Sequence, residues 1–412
     1  MPTYLTPGIY IEEIPTGPRP IEAVGTSTAA FLGVAPNADA RPHEAVAINN
    51  WSQFVKEFAV EGSVSTPLSH AVFGFFQNGG GRCYVVNVGA GKELVGDGRQ
   101  RQGIETLEEI DEIAIVAAPG FTDAASYDTI LTHCEKLKDR VAILDAPQDV
   151  SSIDQLKTVG TAAATTKPKK PAAADAGGGA PTPPVPPAQA PGLRPRTSDG
   201  GFGSFYFPWI VARDPFSPKD LVPVPPSGHI AGIYARTDTS RGVHKAPANE
   251  IVRGALDLTY RVTREEQGGL NTLGVNCIKL FATEGIRVWG ARTLADSGSE
   301  WRYLNVRRLF NMIEESIAIG TRWVVFEPND MSLWKSIRRD ISAFLMLQWR
   351  QGALMGATPE EAFFVQCDAE TNPPEVIDAG MVVTVIGIAP VKPAEFVIFR
   401  IGQGAGGAEI EA

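Results

Sequence analysis

The 412-residue chain is poor in cysteine. It has four, Cys83, Cys134, Cys277 and Cys367, far apart and with no Cys-x-x-Cys pair. Zinc-ribbon and thioredoxin-type readings therefore fail, and buried free thiols in a reducing compartment are expected. Histidine is almost as scarce. The five residues His43, His70, His133, His229 and His244 show no His-Glu-x-x-His or other ligand spacing, so no metal site is expected. No uninterrupted apolar run approaches the ~18 residues of a membrane-spanning helix. The opening MPTYLTPGIY has neither a basic nor an apolar leader region, so a secretory signal is not expected. Action outside the cell would then require lysis or release inside a larger particle. Positive charge is also in deficit: 37 Lys and Arg against 47 Asp and Glu give a net charge of -10. That disfavours a general nucleic-acid or anionic-membrane role and fits plain solubility.

Motifs for chemistry are missing as well. NVGAGKE resembles a phosphate loop but carries Val86 where the first glycine belongs and Glu93 where Ser or Thr belongs. GTSTA has Ala29 where a nucleophile elbow needs glycine, and it opens a strand instead of closing one. The carboxylate pairs Glu265–Glu266 and Glu360–Glu361 are adjacent in sequence, as helix-start charges are. No catalytic residue and no cofactor is expected. An α/β enzyme remains the competing class, because active sites assemble in space.

What is present is globular composition, 43% hydrophobic and 20% charged, in a length that allows two or three domains. Residues 1–20 read as a strand and a proline linker, PTGPRP. Segment 21–100 has a buried strand over 28–34, a short helix with Phe54 and Phe58 at i, i+4, a helix ending in an Asn-Gly run, and a strand over 83–88. Segment 101–240 alternates strand, helix and strand (EIAIVAAPG, a helix begun by Asp123, VAILDAP), which predicts a small parallel sheet. A Pro/Ala/Gly-rich insertion, 161–199, interrupts it and reads as a solvated loop, either passive or a docking site. FGSFYFPWIVARDP resumes as one strand. Segment 241–390 carries two amphipathic helices. NVRRLFNMIEESIAIG puts Val306, Leu309, Phe310, Ile313 and Ile317 on one face, with Arg307 and Arg308 elsewhere. NDMSLWKSIRRDISAFLMLQWRQGAL has an apolar stripe of Leu333, Ile337, Ile341, Phe344 and Leu345. RWVVFEP, AFFVQCD and GMVVTVIGIAP read as strands. Residues 391–412 form a second terminal strand beyond the Pro390–Pro393 linker.

The two terminal strands are the peculiar feature. TPGIYIEEIP, with Gly8, Ile9, Tyr10, Ile11 and Ile14, has no hairpin partner beside it. At the other end Phe396, Val397, Ile398, Phe399 and Ile401 make a strand that is apolar on both faces. A single strand is not stable alone in water, so each is expected to pair with another chain. The basic pair Arg338–Arg339, with Lys335 one turn earlier, is either a solvated helix face or a contact for an acidic partner.

Several long stretches are more specific than composition. PPSGHIAGIYARTDTSRGVHKAPANE, LNTLGVNCIKLF, GIRVWGARTL, WRYLNVRRLFNMIEESI, WRQGALMGATPEEAFFVQCD and NPPEVIDAGMVVTVIGIAPVKPAEFVIFRI resemble tail sheath proteins of contractile phage tails and contractile injection systems. TPGIYIEEIP and FFQNGGGRCYVV resemble the N-terminal pattern of that family. The resemblance covers about 1–90 and 200–401. It implies an α/β (α+β) multi-domain subunit with a C-terminal inner domain, an inserted outer α/β domain and extended strand arms at both termini. It further implies a helical homo-polymer of hexameric rings around an inner tube protein, with baseplate and terminal cap proteins as further partners. Such a sheath is assembled in the cytoplasm, is metastable when extended, and contracts to drive the tube into a target membrane without itself inserting. Lys335, Arg338 and Arg339 would then face the tube. A minor baseplate-associated sheath paralogue is the alternative within the same family.

Overall fold

The computed structural model describes residues 20–91, 93–96, 100–161 and 191–398. The N-terminal strand residues Gly8 to Ile14, and Phe399 and Ile401, lie outside this set, as does 162–190 of the insertion. Two compact units are present. The larger comprises Thr26–Arg308 with the segment from Val391 onward, and the smaller comprises Leu309–Pro390 with the stretch up to Gly25.

The larger unit is built on β1 (Ala29–Gly33), β2 (Ala45–Ile48), β3 (Cys83–Asn87), β4 (Ile115–Ala117), β5 (Val141–Asp145) and β6 (Gly203–Phe207). It continues with β7 (Ile210–Arg213), β8 (Leu221–Val224), β9 (Glu250–Ile251), β10 (Ala255–Leu258), β11 (Val275–Phe281) and β12 (Gly285–Val288). Nine of these make one sheet in the order β2-β3-β1-β4-β5-β6-β11-β12-β9. The six central strands are parallel, β2 and β12 run antiparallel to them at the two ends, and β9 pairs antiparallel with β12. The strands of segment 101–240 therefore do not form a small sheet of their own. β4 pairs directly with β1, and residues on both sides of position 100 share one sheet.

Parallel strands are buried on both faces, so they read as unbroken apolar runs. β1, β3, β5 and β6 are buried at every position. Alternate side chains serve two cores: Phe31, Val85 and Ile143 point into one, Leu32, Val86 and Leu144 into the other. The first core is covered by α1 (Trp51–Phe58), α2 (Pro67–Gln77) and, further along the chain, α4 (Ser227–Arg241). The second is covered by α3 (Ala124–Leu137), while α5 (Arg264–Asn271) adds Leu270 to it. Asn50, Thr66 and Asp123 cap α1, α2 and α3 by accepting from backbone amides three residues on, which satisfies otherwise orphaned donors. α2 and α4 approach closely because Gly228 has no side chain; a Cβ there would fall 2.2 Å from the Ala71 backbone.

FGSFYFPWIVARDP is two strands, not one. Pro208 cannot donate to a ladder, and the chain passes from β6 in the large sheet to β7 in a separate antiparallel sheet, β10-β7-β8. The end of the insertion is not solvated either. Leu193 and Arg194 donate backbone hydrogen bonds to Gln155 and Thr158, and Ser198 is buried. All four cysteines are buried and unpaired.

Helix α6 (Leu304–Gly320) begins in the larger unit and continues into the smaller. Val306, Leu309 and Ile313 are buried as its periodicity predicts, but Arg307 and Arg308 are buried too. Arg308 makes a bidentate pair with Asp238 (2.6 and 3.0 Å) and lies over the Tyr234 ring. Arg307 lies over the rings of Phe202 and Trp301. Guanidinium stacking lets a charged residue occupy an apolar site, which periodicity alone does not reveal.

The smaller unit holds α7 (Met331–Arg350) and a two-stranded antiparallel sheet of β13 (Phe363–Gln366) and β14 (Val385–Ile388). The expected stripe on α7 is buried, and Asp330 caps the helix by accepting from the Leu333 amide at 2.9 Å. RWVVFEP is not a strand. It forms a short 3-10 turn over Arg322–Val324 and then exposes Val325 and Phe326. A short apolar run does not by itself distinguish a strand from a connection, and this one joins two helices.

Candidate assembly surfaces

The most chemically suggestive buried group is Asp145, at the C-terminal end of β5, where ligands gather in open parallel sheets. Burial pushes its carboxyl up to about 7, opposed by hydrogen bonds from Ser227. The Ser227 amide and hydroxyl donate to its two oxygens at 2.8 and 2.6 Å. Asp145 thus holds the start of α4 to the sheet. The loop after β3 likewise serves structure. Asn87 is fully buried; its Oδ1 accepts from Ala35 and Gly89 and its Nδ2 donates to Ala38 and Ala40. Among the described residues no group of three or more His, Cys, Asp or Glu could hold a metal ion, and no helix is long and apolar enough to cross a membrane.

The surfaces that stand out are apolar. β13 pairs with β14 in the register Phe363↔Ile388 to Gln366↔Val385, and among the described residues neither strand has a second neighbour in the sheet. Each outer edge offers backbone donors and acceptors in the pattern a further strand requires. The side chains around it are exposed: Phe364 at 54%, with Met381, Val383 and Val385. The connection between the strands is nonetheless fixed. Asn372, 1% exposed, donates from Nδ2 to the Val383 carbonyl (3.0 Å) and accepts from the Val383 amide (2.7 Å). Asn329 donates to the Met381 carbonyl at 2.8 Å and accepts from Trp334 of α7 at 2.8 Å. Among the described residues this is an ordered sheet with unpaired edges.

The sequence-predicted C-terminal strand residues Phe396, Val397 and Ile398 are exposed at 72%, 68% and 80% and belong to no strand. They are not on a free linker. Glu395, immediately before them, accepts from Arg292 Nε (2.9 Å) and Nη2 (2.7 Å), from Asn271 Nδ2 (2.7 Å) and from the Tyr303 hydroxyl (3.4 Å). Burial acts to raise the Glu395 carboxyl, but the hydrogen bonds of Arg292 and Asn271 and the Arg292 charge outweigh it and hold it below the usual carboxylate range.

Lys335, Arg338 and Arg339 are exposed on α7. Arg339 donates from Nε to Asp340 at 3.0 Å, whereas among the described residues Lys335 and Arg338 have no ion-pair partner. The only carboxylate within α7 is Asp340, which is buried, so the helix presents a basic face in a chain of net charge -10. Sequence reasoning missed the open edges of β13–β14 and the Arg292–Glu395 pair. The strands themselves were legible, but an edge is defined by what lies beside it, and an ion pair across 103 residues leaves no local pattern.

Comparison with known proteins gives a consistent picture. Residues 101–294 match the phage tail sheath protein central domain, and residues 296–403 match the phage tail sheath C-terminal domain. The tail sheath protein of Vibrio phage KVP40 is 30% identical over 177 residues, 42% of this chain but 26% of that protein. The chain thus spans well under two thirds of that curated relative. The sheath of the PVC extracellular contractile injection system, solved in its contracted state, superposes with a TM-score of 0.73 at 30% identity, covering 98% of this chain and 99% of that one. A chain of the anti-feeding prophage baseplate gives a TM-score of 0.71 at 28% identity, covering 98% of this chain and all of that one.

Proposed function

The chain belongs to the tail sheath protein family of contractile phage tails and contractile injection systems, and we propose that it polymerises by exchanging terminal strands between copies. It is a structural sheath subunit. In this reading the subunits stack as hexameric rings around an inner tube, in an extended state held metastable by a kinetic barrier. Contraction to a lower-energy packing drives the tube into a target membrane. The sheath assembles in the cytoplasm as part of a phage tail or phage-tail-like particle, and its ends meet baseplate and terminal cap proteins.

One observation carries the proposal: an ordered two-stranded sheet that no further strand joins among the described residues, in a chain whose apolar Phe396, Val397 and Ile398 are exposed. An arm from a neighbouring copy laid against β13 or β14 would gain main-chain hydrogen bonds worth ~0.5–1.5 kcal/mol each. Apolar side chains would add about 1.5–3 kcal/mol each if fully buried. Ordering the arm costs ~1–2 kcal/mol per residue, so one arm is only moderately favourable. Two arms per subunit, repeated along a lattice, bind by avidity. Strand addition also tolerates swivelling, because the main-chain ladder persists while the tether turns.

The basic face of α7, with Lys335, Arg338 and Arg339, would meet an acidic patch on the tube, where complementary charge sets register and attachment. The deciding experiment is electron microscopy of polymers formed by the full chain and by a chain lacking residues 1–14. Cylinders from the first and folded, unassembled subunits from the second support the reading. Normal cylinders from both would overturn strand exchange. Copy number per particle separates a sheath, with many copies, from a baseplate-associated paralogue, with few.

A further inference from the structure

The prolines Pro390 and Pro393 suggest a stiff linker on which the C-terminal arm swings. The contacts place the fixed part further along. At the start of this segment the Val391 carbonyl accepts from Asn305 Nδ2 at 3.2 Å, and the same nitrogen donates to the His244 carbonyl at 2.8 Å. At its end the Glu395 carboxylate sits in the planar fork of Arg292. That guanidinium is itself held, with Nη1 donating to the Asn271 carbonyl at 3.2 Å and its side chain only 9% exposed. The Arg292 backbone is locked from both sides by buried Asn276, whose Oδ1 accepts from the Arg292 amide and whose Nδ2 donates to the Arg292 carbonyl, each at 2.8 Å. Residues 391–395 are therefore a short brace, stiffened by Pro393 and tied to the larger unit at both ends. The next three side chains are apolar and exposed. Phe396 and Val397 border a cleft of about 520 Å³ that Trp289, Gln267 and Tyr303 also line.

We propose that the Arg292–Glu395 pair is the anchor of the C-terminal arm. It fixes where the arm leaves the larger unit, and the swing that rotation of neighbouring subunits demands begins after Glu395 and not at the prolines. This rests on the strand-exchange reading above. The chemistry suits the task. A bidentate guanidinium–carboxylate contact is charge-assisted and directional, and its planar fork resists twisting in a way a lysine ammonium does not. Arg292 is accordingly a positioning residue. It touches neither the neighbouring copy nor the tube in this proposal, but sets the direction in which the arm reaches them.

The test exploits the buried native cysteines, which leave an introduced surface cysteine as the accessible one. A spin label at Ala394→Cys reports the brace, and one at Ile398→Cys reports the arm, each in the full chain. The label at 394 should be immobile and that at 398 mobile. In Arg292→Lys, and more mildly in Glu395→Gln, the label at 394 should become mobile while far-ultraviolet circular dichroism is unchanged. Equal mobility at both positions in the parent chain, or an immobile 394 label in Arg292→Lys, would overturn the anchor. Assembly separates this from the reading beneath it. A chain truncated after Glu395 that still forms normal sheaths removes the arm hypothesis itself. If truncation abolishes sheaths, Arg292→Lys should lower the fraction of assembled subunits roughly tenfold or more. Wild-type assembly by Arg292→Lys would show that the arm matters and the anchor does not.

Discussion

Two of the three sheets among the described residues follow opposite rules. The nine-stranded sheet is buried on both faces across its parallel centre and flanked by antiparallel strands. Among the described residues the β13–β14 sheet has two strands with no further neighbour, and Phe364, Met381, Val383 and Val385 are exposed. Two-stranded sheets are marginal in water unless something packs on them, and α7 together with the Asn372 and Asn329 braces supplies only part of that. In the proposed strand exchange the second sheet is the one that another chain completes, so that subunit stability rests in the first and assembly in the second, and subunits change neighbours without risking their own fold.

The largest effect should come from removing the arm that completes the small sheet in the proposed strand exchange. Deletion of residues 1–14 is expected to abolish cylinders in electron micrographs while leaving the thermal melting of the subunit within a few degrees of the parent.

Core truncation should give the reverse pattern. Phe205→Ala in β6, fully buried, is expected to cost about 3–5 kcal/mol in denaturant unfolding of the subunit. Phe364→Ala in β13 should cost under about 1 kcal/mol in the same assay, because the ring is half exposed, yet impair polymerisation. If both changes destabilised the isolated subunit equally, the contrast between the sheets would be lost.

Acid should weaken the larger unit through two histidines that it buries. Desolvation lowers His229 to about 3; for His133 desolvation and then the Arg140 charge lower it to about 4. Both therefore bind protons in the unfolded chain at a pH where the folded chain refuses them. Stability is unaffected by them above their ordinary value of 6.5 and falls as pH drops below it, by about 1.4 kcal/mol per pH unit for each histidine. Asp145, raised to about 7, works the other way. It contributes stability that is fully present below its ordinary value of 3.8 and is lost as pH rises towards 7, and so it offsets one histidine over that window. The net expectation is a decline of stability below about pH 6 that is shallower in His229→Gln, read from urea midpoints at several pH values.

The smallest effect on the subunit should come from reversing charge on α7. Lys335→Glu with Arg338→Glu is expected to change subunit stability by no more than about 0.5 kcal/mol per site; Arg339 is left in place because its guanidinium pairs with the buried Asp340 carboxylate. It should loosen co-sedimentation with the tube, most clearly at low salt. Unchanged co-sedimentation would reassign this face to solvent.

Much of the larger unit was legible because local signals agreed with tertiary context. The buried runs 28–34 and 83–88, the Asp123 cap and the Phe54–Phe58 pair all recur in the structure. Helix α4 was not recognised as a helix. Ten of its residues are buried, on all sides, so the polar–apolar alternation that betrays a surface helix is absent. Its glycines, which permit the approach to α2, argue against a helix in isolation. Arg307 and Arg308 read as a polar face because stacking on Trp301 and Tyr234 is not a property of spacing. At the candidate site, sequence expected a strand where Phe396, Val397 and Ile398 are exposed and in no strand, and it gave no signal for the contacts just before them: Glu395 draws Asn271, Arg292 and Tyr303 from three separated places in the chain.

The buried cysteines carry a consequence for durability. Desolvation raises the thiols of Cys83, Cys134 and Cys277 well above their ordinary range, so the thiolate needed for oxidation or disulfide exchange is all but absent. A polymer that stores mechanical work must not acquire covalent cross-links between copies, which would freeze it in one length. With every thiol buried, a sheath of the proposed kind would pass from a reducing cell interior to oxidising surroundings without cross-linking and would still be able to contract.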